Sequence, residues 1–220
     1  MLRKANLLWA MISHQHRCIF IHIPRTAGTS IEDWLSPDPQ WRASPEEKHL
    51  TSIQARRLYR VYWDDYFKFT FVRSPYTRSA SLLSRYSSFY GVGIKKGAIH
   101  FGKYKARFGS PMTLEHDLRF YRYNELLELD SFCERPYRPH SVYGNILTES
   151  LDKVYRFEDL QDAVVDIAER LRLPAPRLAH RVAALKALDP GILQSSRSIQ
   201  RVNKLYANDF EVYGYERILP

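Results

Sequence analysis

The segment that decides the fold is Cys18–Ser30, which reads CIFIHIPRTAGTS. It begins with a nearly continuous run of apolar and β-branched side chains, which Pro24 closes. Such a run is typical of a buried strand in a parallel sheet. Thr29 or Ser30 can cap the helix that follows, because apolar residues repeat behind them at helical spacing. The segment therefore predicts a strand, a short loop and a helix.

The same alternation continues along the chain. Phe67–Val72 (FKFTFV) and Val154–Phe157 predict two further strands. Helices are predicted over residues 46–62, from Pro75 onward, over Leu160–Leu171 and over Ile199–Tyr213, and a surface loop over Ser36–Pro45. Residues 91–138 give no clear pattern. Strands that alternate with helices favour an α/β fold of three layers with a mostly parallel central sheet, in a single domain over residues 1–220.

Composition limits the classes of protein. The 220 residues carry 33 Lys and Arg against 24 Asp and Glu, a formal net charge of +9. Hydrophobic residues make up 45% and aromatic residues 14%, which excludes a disordered chain. The basic excess indicates an anionic partner, and nucleic acid, a membrane surface, an acidic glycan and a phosphate-rich cofactor all stay open at this point.

The cysteines and the N-terminal segment indicate where in the cell the protein is expected. Cys18 and Cys133 are too few for a disulfide scaffold or a cysteine-built zinc site, and they fit a reducing compartment. The apolar stretch Leu7–Ile12 is much shorter than the ~20 residues of a membrane span. No small-residue cleavage site follows it. We therefore expect a cytoplasmic protein without a signal peptide or transmembrane segment.

The loop between the first strand and helix has the chemistry of a phosphate site. In an open α/β sheet, ligands bind beyond the carboxyl ends of the strands, where main-chain N–H groups and a helix N-terminus favour anions. Gly28 lets the backbone approach a ligand closely, and Arg25 adds a planar cation. Hydroxyl donors come from Thr26, Thr29 and Ser30. The alternative interpretation is a plain capped turn.

This loop does not fit the phosphate loop of nucleoside triphosphatases, G-x-x-x-x-G-K-[ST]. Ile23 stands where the first Gly belongs, and Thr29 stands where the Lys belongs. A magnesium-dependent reaction of a nucleoside triphosphate is therefore disfavoured.

A second segment, Phe69–Ser81 (FTFVRSPYTRSAS), has the same layout. A predicted strand ends at Arg73, Pro75 begins a helix, and Ser81 follows within it. If the segment folds in this way, Arg73 and Ser81 converge on one anion, and two such sites suit a ligand with two separate phosphates. The alternatives are a salt bridge for Arg73 and a small packing residue for Ser81.

Together the two segments resemble the carbohydrate-type sulfotransferases that use 3′-phosphoadenosine 5′-phosphosulfate (PAPS). The family's first motif, approximately F-I-H-I-P-K-T-[AG]-G-T-S, is similar to Phe20–Ser30. Its second, approximately F-x-F-V-R-N-P-[YW]-x-R-x-x-S, is similar to Phe69–Ser81, with Ser74 in place of Asn. Tyr155–Leu160 and Leu205–Tyr215 resemble two later family segments.

The resemblance implies a P-loop NTPase-like fold, a PAPS cofactor and no metal. It implies that the 3′-phosphate is held by Arg73 and Ser81. It implies that the 5′-phosphosulfate is held by the loop residues Arg25, Thr26, Ala27, Gly28, Thr29 and Ser30. The family usually has Lys in place of Arg25, where the cation helps the leaving group depart. Arg25 can stabilise the same charge with a wider, planar head.

Sulfuryl transfer also needs a base for the acceptor hydroxyl, and His is suited to that role near neutral pH. His49, in His49-Leu50-Thr51, resembles the base of an H-x-T segment in many relatives, so His49 and Arg25 are the predicted catalytic residues. His140 is the second candidate for the base. Glu32 is a further candidate, although a salt bridge is the favoured interpretation of this residue. His22 lies within the first strand and is expected to be structural.

The acceptor is expected to bear a hydroxyl and to be a carbohydrate or glycolipid, with anionic glycans among the candidates. Residues 91–114 support this, since they contain five basic residues, interleaved aromatic rings and no acidic residue. Such a stretch equally suits nucleic acid or a solvated loop. The alternative functions are a non-catalytic binder of PAPS or its product PAP, and a basic nucleic-acid-binding protein, although the predicted partners include no nucleic acid.

Overall fold

The computed structural model describes residues 11–35, 49–79, 81, 92–95, 98–101, 140–176 and 196–220. The chain forms two compact units, residues 1–74 with 143–179 and residues 75–142 with 180–220. The prediction of a single domain over residues 1–220 stays a prediction. In chain order the elements are β1 (Ile12–Ser13), β2 (Cys18–Ile21), α1 (Gly28–Leu35), α2 (Ser52–Leu58), β3 (Phe67–Val72), β4 (Val92–Lys95), β5 (Ala98–Phe101), α3 (Val142–Ile146), β6 (Lys153–Arg156), α4 (Leu160–Leu171), α5 (Ser196–Leu205) and α6 (Ala207–Val212).

The first unit contains a four-stranded sheet in the order β1-β2-β3-β6. β2, β3 and β6 are parallel, with Phe20 opposite Phe69 and Thr70 opposite Val154, and β1 pairs antiparallel with β2. All four residues of β2 are buried, as expected for a parallel strand that is covered on both faces. The predicted α/β class and mostly parallel sheet are therefore confirmed.

The core of this unit joins α1 and α4 to one face of the sheet. Its buried members are Cys18, Phe20, Ile31, Leu35, Phe69, Phe71, Leu160, Ala163, Val164 and Ile167. The residues from α4 recur at helical spacing, which is why the sequence predicts this helix at its observed bounds. Burial raises the pKa of the Cys18 thiol to about 12, so this thiol is not a nucleophile near neutral pH.

The two helices nearest the first loop start at positions other than those predicted. α1 begins at Gly28, because the carbonyl of Ala27 accepts from the N–H groups of Ser30 and Ile31. Thr29 and Ser30 therefore lie in its first turn and are not caps.

α2 begins only at Ser52, where Thr51 and Gln54 form a reciprocal capping box. The predicted start at residue 46 lies outside the described residues, as does the predicted loop Ser36–Pro45. The prediction that residues 49–51 are helical is wrong, because Thr51 is the cap.

In the second unit, helix is present from Pro75 to Ser79 and at Ser81, as the sequence predicts. The buried guanidinium of Arg78 donates to the hydroxyl of Tyr206 at 2.8 Å. The buried carboxylate of Asp209 accepts from Ser141 Oγ at 2.7 Å and from the N–H of Val142 at 2.6 Å. The C-terminal segment that resembles the family ending therefore anchors this unit.

The predicted last helix is divided into α5 and α6 at Tyr206. His140 explains the division. Its Nδ1 donates to the carbonyl of Lys204 at 3.0 Å, and its own carbonyl accepts from the N–H of Asn208 at 3.1 Å. In a continuous helix the Asn208 N–H would bond to the Lys204 carbonyl instead. The prediction of one uninterrupted helix is therefore wrong.

The sequence predicts no secondary structure for residues 91–138. In the part of this range that the structure describes, β4 and β5 form an antiparallel pair. Within the described ranges, every helix is too short or too polar to cross a bilayer.

Candidate functional site

The loop that joins β2 to α1 has an unusual backbone. Arg25 and Ala27, on either side of Thr26, have φ of 71° and 72°, a left-handed conformation that is uncommon for residues with a Cβ. Such local reversals turn main-chain N–H groups inward and form anion-binding concavities. The loop leads into the N-terminus of α1, whose dipole also favours an anion. This geometry supports the predicted phosphate loop.

Thr26 stabilises the loop from inside. The side chain is fully buried, and its Oγ1 donates to the carbonyl of Ile23 at 2.8 Å. The hydroxyl was expected to donate to the ligand, and in this structure it donates to the loop itself. Thr26 stays a predicted cofactor-binding residue through its main-chain N–H, while Thr29 is exposed and Ser30 half-buried in the first turn of α1.

The space beside Gly28 is occupied by the ring of His22, so no residue with a Cβ fits at this position. A Cβ added at this position would lie 1.8 Å from Nε2, 1.9 Å from Cδ2 and 2.4 Å from Cε1 of His22. The sequence predicts that Gly28 admits a ligand, whereas the structure shows that it admits the His22 ring. His22 is buried, as expected.

His22 also has a partner that the sequence analysis did not connect to it. Its Nδ1 lies 2.7 Å from Oε1 of Glu32, and both side chains are buried. For Glu32 the sequence favours a salt bridge over the role of base, and the pair with His22 agrees with that interpretation. A usable signal exists in the sequence: Gly28, Ile31, Glu32 and Leu35 form the buried face of α1, and an acid on a buried helix face needs a partner.

His49, the predicted base, lies beside this pair. Its Nδ1 donates to the main-chain carbonyl of His22 at 3.0 Å, and its ring meets the His22 ring edge-on, with 4.5 Å between centroids and 68° between planes. A carbonyl only accepts, so Nδ1 carries the hydrogen and Nε2 has the lone pair in the neutral ring. The residue is exposed. This tautomer is compatible with a general base at Nε2, and the role of His49 as the base stays a prediction.

Arg73, at the end of β3, is buried and touches the first loop. Its Nη1 donates to the carbonyl of Arg25 at 3.3 Å. Its guanidinium carbon lies 4.2 Å from the centroid of the Phe157 ring, a cation–π distance. Its main chain is held by Tyr143, whose hydroxyl accepts from the Arg73 N–H at 3.0 Å and donates to the Arg73 carbonyl at 2.5 Å. Tyr143 and Phe157 are supporting residues that the sequence analysis missed.

The other predicted residues are distributed as follows. Ser81 is buried and belongs to the second unit, so its convergence with Arg73 on one phosphate stays a prediction. His140 connects α5 to α6 as described above, and a catalytic role for it is not supported by those contacts. Most of the basic and aromatic stretch, from residue 102 on, lies outside the described residues.

The sequence model of the sulfotransferase family matches residues 10–216. The chain belongs to this family, and its resemblance to sulfotransferases is confirmed. Membership makes it a transferase of the sulfotransferase class, which acts on a hydroxyl-bearing acceptor. No curated protein and no solved structure matches the chain.

Proposed function

We propose that this protein transfers the sulfuryl group of PAPS to a hydroxyl of a carbohydrate or glycolipid, on a three-layer P-loop-like fold. One observation carries the proposal: the buried Arg73 side chain, at the end of β3, donates to the carbonyl of Arg25 in the loop that follows β2. This hydrogen bond joins the end of β3 to the loop that follows β2, at the carboxyl ends of adjacent parallel strands. Ligands of open α/β sheets bind at such ends.

The described residues suit an anionic cofactor with more than one phosphate. The left-handed residues Arg25 and Ala27 precede the N-terminus of α1, and this loop would hold the 5′-phosphosulfate. Arg73 would hold the 3′-phosphate together with Ser81. When bound, PAPS supplies the sulfuryl group and leaves as PAP.

His49 and Arg25 have distinct chemical tasks in this proposal. His49 would take the proton of the acceptor hydroxyl at Nε2, because Nδ1 already donates to the His22 carbonyl. Arg25 and the loop N–H groups would stabilise the negative charge that grows on the leaving phosphate. Alignment of the acceptor oxygen with the bond that breaks is the main requirement of such in-line transfers.

The acceptor is proposed from the composition of residues 91–114. Basic side chains interleaved with aromatic rings suit a sugar ring that carries carboxylate or sulfate groups. The family match supports a hydroxyl-bearing acceptor and no finer class.

The test is transfer of radiolabelled sulfate from PAPS in the presence of EDTA. The acceptor panel contains neutral glycans, carboxylated glycans, sulfated glycans and glycolipids. We expect label in at least one glycan or glycolipid. PAP binding without transfer to any acceptor would instead favour the non-catalytic binder. Tight binding of an oligonucleotide without any response to PAP would favour the nucleic-acid-binding alternative.

A further inference from the structure

The His22–Glu32 pair is a buried ionisable pair that the proposed reaction does not use. Both residues are almost fully enclosed, with side-chain exposures of 6% and 3%. A buried carboxylate is costly unless it is hydrogen-bonded, and Glu32 accepts one such bond from Nδ1 of His22 at 2.7 Å. Such a bond fixes both the rotation of the His22 ring and the position of its hydrogen.

The His22 ring is also held on its face and on its opposite edge. Phe20 stacks on it, with 5.7 Å between centroids and 17° between planes. Its Nε2–Cδ2 edge lies against Gly28, so closely that no Cβ fits there. Phe20 comes from β2, whereas Gly28 and Glu32 come from α1. The ring is therefore a fixed part of the junction between the strand and the helix that flank the phosphate loop.

The same residue contacts His49 twice. The main-chain carbonyl of His22 accepts from Nδ1 of His49 at 3.0 Å, and the two rings meet edge-on at 4.5 Å. One contact selects the tautomer of His49 and the other limits the rotation of its ring. A side chain that is exposed on one side needs such contacts to keep one orientation.

We propose that His22, held by Glu32, is a positioning residue that fixes the tautomer and the ring orientation of His49 and connects both to the start of the phosphate loop. The inference rests on the proposed function, in which His49 is the base. The alternative is that His22 and Glu32 only pack in the core and hydrogen-bond to each other. In that case their replacement changes stability and leaves the tautomer of His49 unchanged.

The first test is nitrogen NMR of the histidine rings in the full-length protein without any ligand, with His49→Ala used to assign the signal of His49. We expect the signal of a neutral ring with hydrogen on Nδ1. Glu32→Gln keeps the shape of the side chain and removes its charge, and Glu32→Ala removes the bond. In Glu32→Ala we expect the His49 signal to move toward a mixture of both tautomers. The exposed neighbour Asp33 provides the matched control, Asp33→Asn, in which the His49 signal is expected to stay unchanged.

The second test separates turnover from binding. In Glu32→Ala we expect kcat to fall by about tenfold or more, as for a loosened catalytic group, while the Kd for PAP changes less. Glu32→Gln should lie between this variant and the wild type. If Glu32→Ala does not fold, the inference is tested by the His49 signal and kcat of Glu32→Gln and by the tautomer of His49 in the wild type. Hydrogen on Nε2 of wild-type His49, or an unchanged His49 signal and kcat in a folded variant, would overturn the inference. Failure of the wild type to bind PAP or transfer sulfate would overturn the proposed function instead, because the NMR result does not depend on either activity.

Discussion

The guanidinium of Arg73 donates to the main-chain carbonyl of Arg25 at 3.3 Å. The two arginines come from the two motifs that the sequence offers as separate phosphate sites. This hydrogen bond joins the ends of β2 and β3 at the point where both motifs leave the sheet.

Gly28→Ala should destabilise the protein, because the new methyl group would lie within 2.4 Å of three atoms of the His22 ring. Overpacking of this kind costs ~1–3 kcal/mol, measured by urea unfolding. His22→Ala removes the ring, so Gly28→Ala should cost much less in that background. Equal costs in both backgrounds would show that the His22 ring is not the reason for the glycine.

Ala27→Gly should stabilise the protein, since Ala27 has φ of 72° and glycine adopts this conformation without a steric penalty. The gain is expected to be up to about 1 kcal/mol in the free energy of unfolding. It is reduced by the greater flexibility of glycine in the unfolded chain and by loss of the Ala27 methyl group, which packs against the core. Gly214→Ala is the reciprocal control. Gly214 has φ of 66° and open space around it, so its replacement should destabilise through the backbone alone. A loss of stability greater than about 1 kcal/mol, which is more than removal of one partly buried methyl group accounts for, would contradict the left-handed geometry of the loop.

His49→Ala should abolish turnover and leave PAP binding intact, because His49 is assigned to the acceptor proton and not to the phosphates. His140→Asn is the matched histidine control. Asn tolerates the φ of 65° at this position, and the variant should lose stability by weakening the contact with Lys204 while keeping turnover. The comparison uses initial rates and calorimetric PAP titrations. If turnover is retained in His49→Ala and lost in His140→Asn, His140 would be the base in place of His49.

The fold could be predicted from the sequence where the signal is local. Phe67–Val72 alternates along one strand, and the apolar residues of α4 lie at helical spacing, so both elements were predicted with bounds close to the observed ones. The division between α5 and α6 could not be predicted, because it depends on His140, far away in the sequence. Local periodicity carries no information on a distant hydrogen-bond partner.

In the candidate site, too, contacts between residues far apart in the sequence could not be predicted. The phosphate loop, Arg73 and His49 could be identified as candidates from motifs, but the contacts that support them come from other parts of the chain. Tyr143 and Phe157 contact Arg73. Phe157 lies in the family-like segment Tyr155–Leu160, but neither surrounding sequence indicates a contact with Arg73. Gly28 could be recognised as important, although its physical reason, the ring of His22, needed the structure.

Acid stability should depend on Asp166. Its carboxylate accepts from Nε of Arg170 at 2.9 Å and from the hydroxyl of Tyr155. The hydrogen bond from Arg170 holds the pKa of Asp166 below its usual value, and the bond from Tyr155 adds to this. A pKa that is lower in the folded state gives stability that is full above the unfolded pKa and is lost as the pH falls through the folded pKa.

Asp166→Asn should therefore be less stable than the wild type at neutral pH, and the difference should close in acid. The pair is partly exposed, so we expect a difference below about 1 kcal/mol. Urea unfolding at neutral pH and near pH ~3 measures it, with Glu169→Gln on the same helix as the control. A difference that stays constant between the two conditions would contradict the assignment.

The central claim is that the junction of Arg25 and Arg73 binds the two phosphates of PAPS, and calorimetric titration with PAP in EDTA tests it most directly. We predict saturable one-to-one binding to the wild type. Arg73→Ala should weaken it by about tenfold or more, as expected for a lost charge-assisted hydrogen bond. The exposed Arg60 gives the matched control, Arg60→Ala, which should bind like the wild type. No heat of binding with the wild type, or equal affinity in Arg73→Ala, would contradict the account.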